Sequence, residues 1–153
     1  MLADVQVVNF RGVDAGVTIK LLEREEGGVI TLATKEFSPS ISNWIRCELY
    51  LMVSLFSAVE GRSIEATSFP SFAKELSAVL TNQGDKATFR SPGAQMEMEL
   101  SIDGEDYKIS GFVQSKAQNA ILRFAFESSR ECFIQTLAEV EAAMAQFPVL
   151  TTD

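Results

Sequence analysis

The chain contains no histidine. Ser-His-Asp and Cys-His nucleophilic catalysis are therefore excluded, and the commonest general base and a common zinc ligand are missing. Only two cysteines occur, Cys47 and Cys132, too few for a disulfide framework or a structural zinc site. Cys47 falls in an apolar strand pattern and Cys132 near the start of a helix, so both read as reduced packing residues. Prolines are scattered (Pro39, Pro70, Pro92 and Pro148), and no linker, repeat or low-complexity segment interrupts the chain. The longest apolar stretch, residues 49–59, is broken by Ser54 and Ser57 and is too short to span a bilayer. The first residues, Met-Leu-Ala-Asp, lack a basic segment followed by an apolar run, so no signal peptide and a cytoplasmic location are expected. Phosphate-binding glycine loops are missing too: Gly12 and Gly16 do not match a dinucleotide fingerprint, and no G-x-x-x-x-G-K-[ST] run exists.

What is present is apolar and acidic. With 153 residues, 46% of them hydrophobic, the chain suits a single domain spanning residues 1–153. Surface scaling predicts that about two-thirds of its surface is buried on folding, enough for a core without staples. Acidic residues outnumber basic ones by 21 to 13, for a net charge of −8. Nucleic acid and anionic membranes would be repelled, whereas a basic protein would be attracted and its association accelerated. Solubility alone would also account for the acidity.

Hydrophobic periodicity predicts an α+β fold with a mostly antiparallel sheet of about seven to eight strands and two amphipathic helices, about 69–83 and 129–146. Residues 4–10 read as a strand. Residues 17–34 read as a hairpin turning at Gly27-Gly28. Residues 44–59 read as one long strand, bent or bulged, with Ile45, Cys47, Leu49, Leu51, Val53, Leu55 and Val59 on one face. Ser68 is the expected N-cap of the first helix, whose stripe is Phe69, Phe72, Leu76, Val79 and Leu80, with Gly84 as its stop. Residues 87–90 form a short strand. Met96, Met98, Leu100 and Ile102 alternate with polar residues, and Asp103-Gly104 offers a turn into the strand marked by Tyr107, Ile109, Gly111 and Val113. Leu122, Phe124 and Phe126 mark a further strand. Ser128 and Glu131 have capping-box spacing ahead of the stripe Phe133, Leu137, Val140, Met144 and Phe147, which Pro148 ends. Whether the strands form one sheet or two layers stays open.

Three features could carry chemistry or binding. Glu97 and Glu99 share one strand face about 7 Å apart, a spacing open to acid/base work or a divalent ion, although Gln95 and Ser101 beside them suit a solvated face. Glu23, Glu25 and Glu26 crowd one expected turn; Asp103, Glu105 and Asp106 crowd another. These six acids are candidate partner-binding residues; they also read as solvated turn charges, and D-G-E-D is too short for a calcium loop. Trp44 is a possible interface anchor or a rim-packing residue. No catalytic residue, metal ligand or cofactor site is assigned.

From Trp44 to about residue 147, roughly two-thirds of the chain, the succession of segments resembles the WapI-type immunity proteins of bacterial polymorphic toxin systems. The likeness is carried by Phe69-Pro70-Ser71-Phe72-Ala73-Lys74-Glu75-Leu76 with Leu80, by Ala87-Thr88-Phe89, and by the strand from Glu97 to Leu100. It continues through Tyr107-Lys108-Ile109-Ser110-Gly111-Phe112-Val113 and Leu122-Arg123-Phe124-Ala125-Phe126-Glu127 into the closing helix. Before that helix the chain has Glu127-Ser128-Ser129-Arg130 where the family typically has an aspartate-rich, D-Q-T-like run. The resemblance implies a non-enzymatic cytosolic protein that binds and occludes the catalytic domain of a toxin, often a nuclease with a basic cleft. It transfers no site residues. Two other classes fit the composition: an acidic secretion chaperone for an effector protein, usually dimeric and usually beginning with a helix, and a small ligand-binding domain using carboxylates.

Overall fold

The computed structural model describes residues 6–25, 27–30, 37–40, 42–91, 95–115 and 120–151. The elements are β1 (Gln6–Arg11), β2 (Ala15–Arg24), β3 (Gly27–Ile30), β4 (Phe37–Ser40), β5 (Trp44–Val53), β6 (Phe56–Glu65), α1 (Ser68–Leu80), β7 (Lys86–Ser91), β8 (Met96–Asp103), β9 (Asp106–Gln114), β10 (Ile121–Ser128) and α2 (Arg130–Gln146). Two four-stranded sheets form, in the orders β1-β2-β5-β6 and β10-β9-β8-β7, with β3 and β4 as a separate ribbon. Every described strand pair is antiparallel, as short connections require. The α+β class is as the sequence predicts, and the strands occupy two sheets rather than one.

Two expected strands are redrawn. The segment read as one long strand is a hairpin: β5 and β6 pair from Trp44↔Glu65 to Val53↔Phe56. Ser54-Leu55 makes the turn, with Ser54 at φ 56 in the left-handed region, which usually favours Gly or Asn. The hairpin expected over 17–34 also does not form. β2 pairs with β1 and β5, and Gly27-Gly28 lies inside β3, which pairs with β4. β2 is a central strand, paired with β1 on one side and β5 on the other, and Val17, Ile19 and Leu21 on its inner face are buried. A bulge at Leu22 shifts the register from Leu21↔Cys47 to Glu23↔Arg46.

Both helix starts move by one residue. Thr67, not Ser68, stands at the N-cap of α1, and its hydroxyl bonds Glu65 instead of the helix. The helix stops at Asn82 rather than Gly84. Asn82 takes φ 61, and the Gln83 N–H bonds the Ala78 carbonyl at 2.8 Å while the Asn82 N–H reaches that of Val79. In α2 the cap is Ser129, whose Oγ accepts from the Cys132 N–H at 3.1 Å. This puts Cys132 where a capping box needs Glu, so no box closes. Ser128 instead donates to the Arg11 carbonyl at 2.5 Å and ties β10 to β1.

The core lies where the inner faces of both sheets meet α1. Phe89 of β7 has Phe69 at 5.5 Å, Phe72 at 5.6 Å and Phe10 of β1 at 5.9 Å between ring centroids. All four rings are fully buried. Tyr107 meets Phe133 of α2 edge-on at 5.1 Å. Helix α2 is fixed to β1 through Asn9. The Glu139 carboxylate accepts from both the backbone and the side-chain N–H of Asn9 at 2.9 Å, and Thr136 donates to the Asn9 carbonyl at 2.6 Å. Cys47 is buried, Cys132 partly so, and both are free thiols.

Gly111 sits where no side chain fits, since a Cβ there would lie 2.0 Å from the Glu97 carbonyl oxygen. Gly111→Ala should lower stability by roughly 1–3 kcal/mol through overpacking against backbone that cannot swing aside. Phe89→Ala, which empties the centre of the aromatic cluster, should cost about 3–5 kcal/mol. Urea unfolding of the two variants beside the parent chain checks both values.

Candidate interaction surface

The structure does not gather the six predicted acids into one site. Glu23 forms an exposed ion pair with Arg46, and Glu25 accepts from the Ser63 hydroxyl, so both brace the β2–β5–β6 end of the first sheet. Glu26 lies outside the described residues. Asp103 and Asp106 face each other across the β8–β9 turn with Glu105 exposed between them. That turn lies at the end of the second sheet where Ser128 reaches Arg11. Arg11 pairs with Gly16, so seven strand steps, roughly 23 Å, separate this end from Glu23. The Glu97–Glu99 pair is also divided in role, because Glu97 accepts from Arg90 Nε at 2.6 Å. That bond raises the Arg90 pKa above its ordinary value. Among the described residues no three Cys, Asp or Glu side chains are grouped to hold a metal ion. Trp44 is half-buried at the start of β5.

A different surface stands out. The tip of the β5–β6 hairpin is apolar and open: Met52 is 60% exposed, Leu55 97%, Phe56 64% and Val59 65%. Single exposed apolar residues are ordinary, but a contiguous group on one projecting hairpin is a mark of an interaction site. Its position follows from register. Leu49, Leu51 and Val53 pair with Glu60, Ala58 and Phe56 and share the face that, farther along, is core at Cys47, Ile45 and Ile64. The inner apolar face thus runs past the end of its cover, while the outer face carries Tyr50, Met52 and Val59.

Hollows border residues 57–60 on both sides. On the inner side a cavity of about 280 Å³ lies among Leu49, Leu51, Ala58, Ile121 and Leu122, next to the buried Arg62, which pairs with Glu60 at 2.7 Å. On the outer side an open groove of about 740 Å³ runs between Tyr50, Met52 and Val59 and the β1–β2 turn. That turn is held against β10. The Val13 N–H bonds the Glu127 carbonyl at 3.1 Å, and a Cβ on Gly12 would lie 2.3 Å from the Phe126 ring. Around the rim the acids Asp14, Glu48 and Glu60 are balanced by Arg11 in the same groove, Lys20 opposite Glu48 and Arg62 paired with Glu60.

No periodicity rule finds this surface, because its residues carry the same alternation as a buried strand. The available signal is the apolar character of both faces at once, in Met52, Phe56 and Val59.

The double-sheet architecture has counterparts of low identity. The plant transcriptional regulator PBF-2 matches with a TM-score of 0.50 and 12% identity, over 96% of this chain and 84% of that one. WHY1 from Arabidopsis thaliana gives 0.48 and 12%, over 96% and 93%, and Trypanosoma bruciei MRP1/MRP2 gives 0.48 and 8%, over 95% and 86%. At such identities the likeness concerns fold alone. Among curated proteins none matches this chain in sequence. The sequence pattern of the immunity protein WapI-like family, by contrast, matches residues 12–148. The chain belongs to that family.

One local electrostatic feature of the surface is testable directly. The Tyr50 hydroxyl donates to Glu48 at 2.8 Å, and that bond to a carboxylate raises the phenol's pKa above its ordinary value. A raised phenol pKa stabilises the fold fully below the unfolded value and loses that contribution as pH climbs through the folded value. Glu48→Gln should bring Tyr50 ionisation to lower pH in a spectrophotometric titration beside the parent chain.

Proposed function

We propose that this chain is an immunity protein that neutralises a bacterial toxin by binding its catalytic domain and blocking access to it, without catalysis of its own. The observation that carries the reading is the family match across residues 12–148. The charge balance supports a basic toxin domain as the partner, because a protein of net charge −8 draws a basic surface in and speeds encounter. Among the described residues no helix is long and apolar enough to cross a membrane. A toxin that acts inside the cell has to be met there, so the proposed site of action is the cytoplasm.

In this reading the acids have a steering role rather than a docking one. Glu23 and Glu25 at one end, and Asp103, Glu105 and Asp106 at the other, extend negative potential over a surface wider than a single contact. Steering is long-ranged, weakened by salt and tolerant of such separation.

The decisive experiment identifies the toxin domain that the purified chain captures from its own organism's lysate and expresses that domain in cells with and without the chain. Growth should be restored only with it, and the purified pair should form a one-to-one complex in which toxin activity is lost. Continued killing, together with no complex in solution, would overturn the reading. Within that complex, charge reversal of Glu23, Glu25 and Asp103 to lysine should slow association by about tenfold or more at low salt and much less at high salt, measured by stopped flow.

A further inference from the structure

We infer that the outer face of the β5–β6 hairpin joins two copies of this chain about a two-fold axis, with Leu55 of each copy seated in the outer groove of the other; the inference does not depend on the immunity reading above. It begins with a projection set beside a hollow. Leu55 at the hairpin tip is 97% exposed, and Val13, on the β1–β2 turn that forms the far wall of the groove, is 72% exposed. Between them the groove of about 740 Å³ holds Tyr50, Met52 and Val59. The pairings Tyr50↔Val59 and Met52↔Ser57 bring these side chains to one face of the sheet, and all three stay exposed. A contiguous apolar group of this kind marks an interaction site. An apolar knob and an apolar hollow on the same surface are what an isologous contact uses, because one patch then serves both copies. The contact is made by side chains and leaves the backbone pairing of both sheets as it stands.

Charge selects a second copy as the occupant. Of the residues lining the groove only Arg11 and Asp14 carry full charges, and they cancel. In the next row of the same sheet face Lys20 stands opposite Glu48 and cancels it likewise. The net charge of −8 is therefore carried by residues outside the groove. A basic partner is drawn to those residues and gains nothing from a neutral hollow. An acidic chain, by contrast, meets its own copy with least repulsion where its surface is neutral. A rim with one charge of each sign also suits a two-fold contact, in which the surface faces its own image and like charges need not be opposed.

Sedimentation equilibrium of the full chain tests this. A dimer of twice 16.8 kDa should appear, its share growing with concentration. Added salt should strengthen it, because screening relieves the repulsion between two chains of net charge −8, whereas a contact steered by opposite charges weakens. Leu55→Asp and Met52→Asp should each weaken association at least ~10-fold with the melting temperature unchanged. Ile134→Asp, at a residue 47% exposed on α2, should leave the dimer intact. Arg11→Asp and Asp14→Arg give the groove opposite net charges, so each variant alone should be monomeric and an equal mixture of the two should dimerise, a recovery that misfolding does not produce. A chain that stays monomeric at millimolar concentration would overturn the inference. So would a dimer indifferent to both Leu55→Asp and Met52→Asp, one weakened equally by Ile134→Asp, or charge variants that fail to pair. A monomeric chain whose toxin complex is lost in Met52→Asp would assign the groove to the toxin and overturn it equally.

Discussion

The contact of Phe89 with Phe10, Phe69 and Phe72 is the constraint on which the remaining architecture depends. These rings come from β7, β1 and α1, three parts of the chain that share no strand pairing. Without them the two sheets would be separate four-stranded pieces, each with an apolar face turned to water. Aromatic pairs at centroid distances below 6 Å bury large areas and gain about 0.5–1.5 kcal/mol each beyond that burial. The cluster therefore fixes the sheets against each other at one end. Phe10 stands in register with Val17, Leu51 and Ala58, so the tip of β5–β6 lies at the same end of the strands as the cluster but across the sheet from it, where Leu55, Phe56 and Val59 stay exposed.

The open surface is thus a geometric consequence of the core. Ile45, Cys47, Leu49 and Leu51 lie on one face of β5, and the second sheet and α1 cover them. The hairpin continues past that cover with the same apolar alternation, so Phe56 is exposed and Ala58 borders the hollow that it shares with Ile121 and Leu122. Polar closure elsewhere sharpens the contrast. Asn9 has partners on α2 for its backbone N–H, backbone carbonyl and side-chain amide, and its Oδ1 accepts from Thr18 at 2.6 Å. The first sheet is thus closed by hydrogen bonds at β1, while the tip of β5–β6 keeps apolar side chains exposed.

Much of the fold was legible because periodicity reports burial. Met96, Met98 and Leu100 alternate in sequence and are buried in β8, and Phe69, Phe72, Leu76, Val79 and Leu80 form the buried stripe of α1. The residues that misled did so for local reasons. Ser54-Leu55 lacks the Gly, Asn or Pro that signals a turn, and the inner face passes from odd residues in β5 to even residues in β6. A break in alternation at Phe56 was the one trace of the hairpin, and it reads equally well as a bulge. Gly27-Gly28 misled in the other direction, offering turn chemistry inside a strand. Helix caps shifted by one residue because adjacent hydroxyls compete: Ser128 is taken by Arg11, which leaves Ser129 to cap α2.

The candidate surface was illegible for a deeper reason. Charge is visible in a sequence, so the acids at residues 23–26 and 103–106 drew the eye. Exposure of an apolar residue is not visible, because it depends on where a neighbouring sheet ends. Binding energy concentrates in desolvated apolar anchors, whereas rim charges mainly set encounter rate and salt dependence. The two kinds of residue therefore divide the work in a way that composition alone cannot resolve. A uniform acidic field brings a basic partner to the molecule from any side. Exposed apolar side chains such as Met52, Phe56 and Val59 are the kind of group on which binding energy concentrates once encounter has occurred.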